Sequence, residues 1–365
     1  MSASIEIERL NRFEDIDADS WDRLVHSSTT RSVFQTHAWH TAWWQTFGAQ
    51  QELVLLRATD DSGLVGLLAL AVDRDGVVRF VGHRESDYVD WICAEDRDDV
   101  RKILLQDALT HAGRWKRIDL HNVPTTSPSV AVLEQSGLAA TRMQTNPCPT
   151  LLIRGHEEFF AEVLRKKGLR RRLNFFLKQE GYRATHLRRA AEILPELDAF
   201  FEQHIGRWSN TPYPSLFHDD DKREFYRNAT RALDGTGWLR FTKLETAAGP
   251  IAFHYGFVYD DSFLWYKPSF DIALAQRSPG EALIKELLDA AAAEGVAEFD
   301  FTVGDEEFKR RFTNHVRENL TMTVFRSSTR LGLHRASRGL KQLVKKSPLE
   351  SGARAIVRRL SGGRS

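Results

Sequence analysis

A short polar segment before the last long predicted helix could bind an anion. Its sequence is RSPGEA, residues 277–282, and the helix that it opens ends at Gly295. The first amides of a helix have no acceptor within it, proline at the first turn loses nothing there, and the helix dipole adds about half a positive charge. A phosphate or pyrophosphate would suit this start, although many helices begin this way for capping alone. The candidate binding residues are Arg277, Ser278, Pro279, Gly280, Glu281 and Ala282.

A second candidate group is the carboxylate of Asp300, which lies between Phe299 and Phe301 in a predicted strand. Side chains alternate along a strand, so phenylalanines that face one side place the carboxylate on the other, toward a helix or a cleft. A carboxylate at the end of a strand is a candidate general base. It could equally be a helix cap or a hydrogen-bond acceptor between strands.

The elements that must position these groups are repeated along the chain, which predicts a mixed α/β fold used twice. Each half has three antiparallel strands, a helix that stops at a glycine, and a short strand that carries an aspartate. In the first half, after a helix at 36–47, these elements are 52–58, 64–72, 77–81, 97–112 and 117–120. In the second half they are 238–244, 250–259, 262–267, 279–294 and 298–301. We therefore expect domains at 1–150 and 151–329, with the segment 141–154 crossing between them.

The charge is distributed unevenly along the 365 residues, whose formal net charge is +1. Residues 330–365 hold ten Lys or Arg side chains against one acid, so we expect a basic tail that is partly helical or disordered. Such a tail could touch an anionic membrane surface at its periphery, or it could simply be solvated. Interleaved aromatic residues are missing from it, so no nucleic-acid partner is expected.

Composition, the length of apolar runs and cysteine spacing exclude several classes of protein. With 42% hydrophobic and 28% charged residues, the chain has enough apolar surface to fold. The longest apolar run, 64–72, is far shorter than the roughly 20 residues that a bilayer crossing needs, and the N-terminus lacks a secretory pattern, so we expect a cytoplasmic protein. Cys93 and Cys148 have no metal-binding spacing, and we expect no metal.

Several segments of the chain, taken in order, resemble the FemAB-like branch of the GNAT acyltransferase superfamily. The resemblance is strongest to the CelD-like acetyltransferase domains associated with bacterial exopolysaccharide and cellulose biosynthesis. The matching segments are KKGLRRRLNFFLKQEG, FFEQHIGRW, LFHDDDKREFYRNATRAL, GPIAFHYGFVYDDSFLWYKPSFD, SPGEALIKELLDAAAAEG and FDFTVGDEEFKRRF. The N-terminal VFQTHAWHTAWWQTFG is similar to the opening helix of these proteins.

The resemblance implies two tandem GNAT-like domains, each a mostly antiparallel sheet whose strands splay apart to admit the pantetheine arm of acyl-CoA. It assigns residues 277–282 to the acyl-CoA loop, and it assigns the strand ending at Lys267 to polarising the thioester. An amine attacks directly, without a metal. The side chains that could accept its proton or bind the acceptor are Asp300, His254, Tyr266 and Asp271. Phe308 stands where superfamily members often have a tyrosine that protonates the leaving thiolate.

The resulting functional prediction is an N-acyltransferase that moves an acyl group, expected to be acetyl, from acyl-CoA to an amine on a sugar, peptidoglycan-like or polysaccharide precursor. One alternative is a Fem-type peptidyltransferase that uses aminoacyl-tRNA, but the basic helix at 168–179 is shorter than the helical arm of those proteins. Another alternative is a non-catalytic accessory protein of polysaccharide biosynthesis. The glycine-poor RSPGEA loop and Phe308 favour that reading.

Overall fold

A computed structural model of the protein describes residues 4–113, 115–209 and 211–332, apart from the side chains of residues 142 and 143. Nearly all of the predicted basic tail therefore lies outside the described residues. The strands are β1 Glu6–Leu10, β2 Glu52–Asp60, β3 Gly63–Val72, β4 Val77–Phe80, β5 Ile92–Cys93, β6 Arg117–Pro124, β7 Ala139–Leu152, β8 Arg183–Leu187, β9 Leu239–Thr246, β10 Gly249–Tyr259, β11 Ser262–Phe270, β12 Glu298–Asp300 and β13 His315–Phe325. The α-helices are α1 Ala18–His26, α2 His37–Phe47, α3 Asp98–His111, α4 Pro128–Gln135, α5 Glu157–Arg165, α6 Lys167–Leu177, α7 Ala190–Ile193, α8 Leu197–Trp208, α9 Asp220–Ala232, α10 Pro279–Glu294 and α11 Glu307–Arg310.

The strands form one continuous sheet. Its order is β1-β2-β3-β4-β6-β13-β7-β12-β11-β10-β9-β8, with the short β5 paired to β3. Most neighbours are antiparallel, and in each half one pair is parallel, β4 with β6 and β11 with β12. The predicted mixed sheet, mostly antiparallel and flanked by helices, is confirmed.

Two long strands join the halves at the centre of this sheet. The segment 141–154, predicted to cross between the halves, lies mostly in β7, whose residues Thr150 to Leu152 pair with β12. The last strand, β13, returns from the end of the described chain and pairs with both β7 and β6. Because the final strand completes the first half of the sheet, the halves share their central strands. The domain boundary near residue 150 stays a prediction.

Each parallel pair is short, so its two strands soon part. β11 and β12 are in register only from Ser262 opposite Glu298 to Leu264 opposite Asp300. β4 and β6 share only two paired positions, beginning at Val77 opposite Arg117. This is the splayed arrangement that the sequence resemblance implied for both halves.

Three hydrophobic clusters cover the sheet. One joins the halves on a single face and includes residues of α1, α2, α8 and α9. The other two lie on the opposite face, one under α3 and α4 and one under α5, α6 and α10. At the junction, the Trp39 ring lies 5.0 Å from Phe225 and 6.0 Å from Tyr266. The tryptophans of α2 therefore pack in the shared core, where they hold the two halves together.

Candidate active site

The start of α10 has the local geometry of an anion site. Ser278 adopts a left-handed conformation, with φ of +55°, which is uncommon for a residue that is not glycine. Its carbonyl accepts the amides of Glu281 at 3.0 Å and Ala282 at 3.3 Å, and Pro279 has no amide to offer. The amide of Gly280 is therefore the one donor of this first turn that is not tied to Ser278.

Side chains lie close around this helix start. A Cβ built on Gly280 would lie 3.4 Å from Cδ1 of Phe270, so one side of the glycine faces an aromatic ring rather than open space. The Glu281 carboxylate accepts a hydrogen bond from Arg311 at 3.0 Å and lies 3.8 Å from Nε of Arg172. Because two arginines neutralise the Glu281 carboxylate, its negative charge does not prevent an anion from binding at the start of α10. The binding roles of residues 277–282 stay a prediction.

The corresponding helix of the first half differs in charge. α3 carries Asp98 and Asp99 in its first turn. Arg97, which precedes them, donates hydrogen bonds to the carboxylates of Asp60, at 2.7 Å, and Asp99, at 2.9 Å. Carboxylates at this position occupy the positive end of the helix themselves and would repel a phosphate. Of the two corresponding helix starts, the one at α10 is therefore the better suited to a phosphorylated ligand.

β11 carries an irregularity at the place where it leaves β12. Tyr255 of β10 pairs with Lys267, but Phe257 pairs with Leu264, so Trp265 and Tyr266 of β11 together oppose a single residue of β10. Such a bulge bends a strand and takes main-chain groups out of the regular ladder. Thr302 donates a hydrogen bond to the Trp265 carbonyl at 3.1 Å, across the point where the strands part.

Asp300 is the last residue of β12 and lies beside this bulge. Its carboxylate is 3% exposed. Oδ1 accepts the Thr302 amide and Oδ2 accepts the Tyr88 hydroxyl, both at 2.7 Å, while Nη1 of Arg317 lies 3.8 Å from Oδ2. Both oxygens are thus held in place, and Arg317 provides a positive charge without direct contact.

The environment of this carboxylate changes its acidity. Burial raises the pKa of Asp300 to about 6, the Glu298 carboxylate adds to the rise, and the hydrogen bond from Tyr88 opposes it. Burial and the charge of Asp300 raise the pKa of Tyr88 well above its usual value. The phenol therefore keeps its proton and donates a hydrogen bond to the carboxylate. A carboxylate whose pKa lies near 6 is a stronger base than an exposed aspartate and is still ionised at neutral pH.

Asp300 lines a cavity of about 830 Å³ between the two halves, which we call the central cavity. Most of its wall comes from the loop 29–33, the segment 124–126, the β10–β11 turn, β12 and the start of β13. The wall is rich in charged and hydroxyl groups. Its charged side chains are Asp260, Asp261, Glu298, Asp300, Glu318, Arg31, Arg154 and Arg317, and its hydroxyl groups belong to Thr29, Thr30, Ser32, Tyr88, Thr125, Thr126, Tyr259 and Ser262.

Known proteins are similar to this chain in one domain and in fold. Residues 164–310 match the family described as Acetyltransferase (GNAT) domain. The crystal structure of FemX superposes with a TM-score of 0.63 at 11% identity, covering 89% of this chain and 98% of FemX. Residues 164–310 are therefore similar to a GNAT acetyltransferase domain, and the fold of the chain is similar to that of FemX. A tandem GNAT protein from the clavulanic acid biosynthesis pathway superposes with a TM-score of 0.55 at 12% identity, covering 88% of this chain and 98% of that one.

A third similar structure is that of L-PGS from Bacillus licheniformis, with a TM-score of 0.55 at 13% identity, covering 93% of this chain and 99% of that one. A search of curated protein sequences finds no significant match. At these identities the superpositions establish the shared fold. The resemblance inferred from sequence is confirmed in the match of residues 164–310 to a GNAT domain and in the fold that the chain shares with FemX.

The other proposed proton acceptors of the GNAT domain lie in different surroundings. His254 is fully buried, with its ring stacked 5.3 Å from that of Trp265, and burial lowers its pKa to about 3. Tyr266 lies in the shared core, where it donates to the carbonyl of Glu85. The Asp271 carboxylate accepts the Ala273 amide at 2.9 Å and caps the 3-10 turn after β11. Among the four candidates, the geometry favours Asp300 because it alone lines the central cavity.

Phe308 lies in α11, where its ring stands edge-on to that of Phe301 at 6.5 Å. A phenyl ring cannot donate a proton to a leaving thiolate. The described residues contain no cluster of three His, Cys, Asp or Glu side chains that could hold a metal ion. They also contain no helix that is long and apolar enough to cross a membrane.

Sequence reasoning missed Tyr88 and Arg317, the two side chains that approach Asp300 from other elements. Tyr88 belongs to the loop between β4 and β5, which reaches from the first half to the second. Arg317 lies in β13 and forms a two-point ion pair with Glu298, with Nη1 2.8 Å from Oε1. Neither residue has a local sequence signal, because strand pairing brings Arg317 to Asp300 and a loop of the first half brings Tyr88 there.

Proposed function

We propose that this protein is an N-acyltransferase that moves an acetyl or similar acyl group from acyl-CoA to an amine of a polar acceptor bound in the central cavity. The acceptor is an amine on a sugar, a peptidoglycan-like molecule or a polysaccharide precursor. Asp300 is the proton acceptor, and the observation that carries the proposal is its position. It is buried, it lines the cavity, and it pairs with Leu264 immediately before the β11 bulge.

The charge of the cavity supports an amine acceptor. Five carboxylates face three arginines across its wall, so the wall is net negative when His315 is neutral. Such a wall attracts an ammonium group and disfavours an acceptor that carries several phosphates. Its many hydroxyl groups, with the amide of Asn319, offer the alternating donors and acceptors that a polyhydroxylated molecule needs.

The donor would lie along β11 on the other side of the bulge. In this proposal the pyrophosphate meets the Gly280 amide and Arg277, and the acyl arm follows β11 toward the bulge, where the main chain polarises the thioester. Leu264 lines the central cavity, while Phe270 at the other end of β11 contacts Gly280. One strand therefore connects the proposed donor and acceptor sites.

The transfer step balances with these groups. The deprotonated amine attacks the thioester carbon, the C–N bond forms, and the C–S bond breaks as the thiolate leaves. Asp300 takes the proton that the amine loses, and the thiolate takes a proton from water because Phe308 cannot supply one. Orientation of the two substrates and stabilisation of the oxyanion account for most of the acceleration in such a mechanism.

Two observations favour the non-catalytic accessory protein as the second candidate. Phe270 covers one side of Gly280, and Phe308 replaces the expected acid. The use of aminoacyl-tRNA as donor is a third possibility within the same fold. The experiment below distinguishes these three cases by the ligand that binds.

The test is calorimetry of the full chain with acetyl-CoA, followed by transfer assays with a panel of amino sugars and short amino-bearing peptides. We expect saturable binding, and release of free thiol in the presence of one class of amine. Gly280→Trp should abolish binding, because an indole would collide with Phe270 and fill the space at the start of α10. Gly280→Ala is the matched control, because its methyl group would make an ordinary contact with that ring.

Absence of acetyl-CoA binding by the wild-type protein would overturn the proposal. If an aminoacyl-tRNA then supported transfer, the Fem-type mechanism would replace it. If neither donor bound, the accessory role would be favoured. Binding that survives Gly280→Trp would leave a coenzyme site, but not at the start of α10.

A further inference from the structure

α6 exposes a row of positive charges next to the proposed donor site. The residues that recur on this face line a concavity of about 500 Å³, which we call the basic groove. They are Lys167, Arg170, Arg171, Asn174, Phe175 and Lys178. Their spacing of three and four residues places them on one side of a helix, where neighbouring cations repel each other.

These cations differ from most others on the second half in having no acidic partner. Within the described residues, none of Lys167, Arg170, Arg171 and Lys178 forms an ion pair, whereas Arg183 pairs with Glu245. Four unpaired cations around one concavity create a positive potential that an anionic ligand would relieve.

The basic groove is continuous with the start of α10. The guanidinium of Arg277 lies over the Phe175 ring, 4.7 Å from its centroid. The two helices also pack against each other, and Arg172 of α6 approaches Glu281 of α10 to 3.8 Å. A ligand whose pyrophosphate rested at Gly280 would therefore extend its remaining part into the groove.

We propose that the basic groove binds the 3′-phosphoadenosine end of coenzyme A. The inference rests on the proposed function and deepens it by assigning the nucleotide half of the donor. Arg170 and Arg171 bind the 3′-phosphate by charge-assisted hydrogen bonds, and the adenine packs against Phe175 and Arg277. The cationic face of α6 runs from residue 167 to residue 178, about 16 Å at 1.5 Å per residue, which suits a single nucleotide better than an RNA stem.

The test compares coenzyme A with 3′-dephospho-coenzyme A by calorimetry on the full chain. We expect the wild-type protein to bind coenzyme A at least about tenfold more tightly, as a charge-assisted contact would give. The double variant Arg170→Gln/Arg171→Gln should bind the two compounds about equally. Arg74→Gln/Lys116→Gln, which removes two exposed cations from the first half, should keep the wild-type preference.

The outcomes separate the two proposals. Equal binding of both compounds by the wild-type protein overturns the groove assignment and leaves the coenzyme proposal intact. Absence of binding by both overturns the coenzyme proposal and the groove assignment with it. Binding of an RNA oligonucleotide that the double variant loses, without discrimination between the two coenzymes, would assign the groove to RNA. Circular dichroism of both double variants establishes that they fold.

Discussion

The hydroxyl of Tyr88 donates a hydrogen bond to Oδ2 of Asp300, with 2.7 Å between the two oxygens and 212 residues between them in sequence. Tyr88 comes from a loop of the first half, whereas Asp300 ends a strand of the second. A hydrogen bond to a carboxylate stabilises its charged form. The first half therefore tunes the acidity of the group that we propose as the base in the second.

Removal of this hydrogen bond should move the acidic limb of the pH–rate profile. With the pKa of Asp300 at about 6, kcat/KM should rise with pH through about 6, as the carboxylate ionises, and then level off. Tyr88→Phe removes a contact that lowers this pKa, so the limb should shift upward by about one pH unit. The measurement is kcat/KM between pH 5 and pH 9.

Tyr259→Phe is the control for that shift, because Tyr259 also lines the central cavity but is not among the groups that perturb Asp300. Its acidic limb should stay at the wild-type pH even if KM changes. A limb that stays in place in Tyr88→Phe would show that another group governs the profile.

Asp300→Asn should lower kcat by about 10²-fold or more, the usual effect of removing a positioned general base. The amide is similar in size and can still meet Tyr88 and Thr302, so the loss should appear in kcat with little change in acetyl-CoA binding. Steady-state kinetics and calorimetry provide the two readouts. Asp305→Asn, an exposed carboxylate paired with Arg310, is the control.

Full activity of Asp300→Asn would contradict the assignment of the base. His254 would not be the replacement, because burial lowers the pKa of its ring to about 3 and makes it a weak base. A loss of activity in Asp305→Asn of similar size would indicate a general effect of charge instead.

The same substitution should stabilise the protein at neutral pH. The pKa of Asp300 in the folded state, about 6, lies above the ordinary value of an aspartate, so the folded chain holds this proton more tightly than the unfolded chain. The contribution of Asp300 to stability is therefore intact below about pH 4 and is lost as the pH rises through 6. Asparagine does not ionise and avoids this loss.

We expect the stability of Asp300→Asn relative to the wild type to increase by about 1 to 3 kcal/mol between pH 4 and pH 8. Urea denaturation at the two pH values measures it. A difference that stays constant with pH would mean that Asp300 is not buried as an ion, which would remove the basis for its raised pKa.

Gly256→Ala should destabilise the fold. A Cβ at this position would lie 2.2 Å from Cε1 of His254 and 2.3 Å from the main-chain oxygen of Leu264, at the β11 bulge. Such overpacking costs about 1 to 3 kcal/mol or more, because backbone must move. Thermal unfolding should show a lowered Tm.

Gly206→Ala is the matched substitution, since nothing lies within 4 Å of the added methyl group in α8. Alanine is the better helix former, so this variant should be more stable by about 0.5 to 1 kcal/mol. Equal effects of the two substitutions would contradict the packing described at the bulge.

Local sequence patterns predicted several elements closely. The predicted helix 279–294 has the same bounds in the structure, because Pro279 is favoured in a first turn and Gly295 takes the left-handed conformation that ends a helix. Thr36, the first residue of the predicted helix 36–47, caps α2 by accepting the Trp39 amide at 3.4 Å. Alternation around Asp300 correctly separated the carboxylate from Phe299 and Phe301, which lie in the opposite cluster.

Other features depend on contacts between distant parts of the chain. The segment 141–154, which contains Pro147 and Pro149, was expected to cross between the halves, but no local pattern indicated that it forms a strand paired with β13, more than 160 residues later. His254 was a candidate proton acceptor in sequence, but it is fully buried between the rings of Phe263 and Trp265. Hydrophobic periodicity and capping signals depend on neighbouring residues, so they do not predict which distant strands and side chains come together.

By itself, the sequence determined the order of the repeated helices and strands in the two halves, the start of α10 and the side of the strand on which Asp300 lies. These depend on residues within one or two turns, where propensity, capping and alternation act directly. Only the tertiary structure decided that β7 and β13 cross between the halves, that Tyr88 meets Asp300 and that the two halves enclose the central cavity. Those outcomes depend on how strands far apart in sequence pair and on how the shared core is buried, which local patterns do not specify.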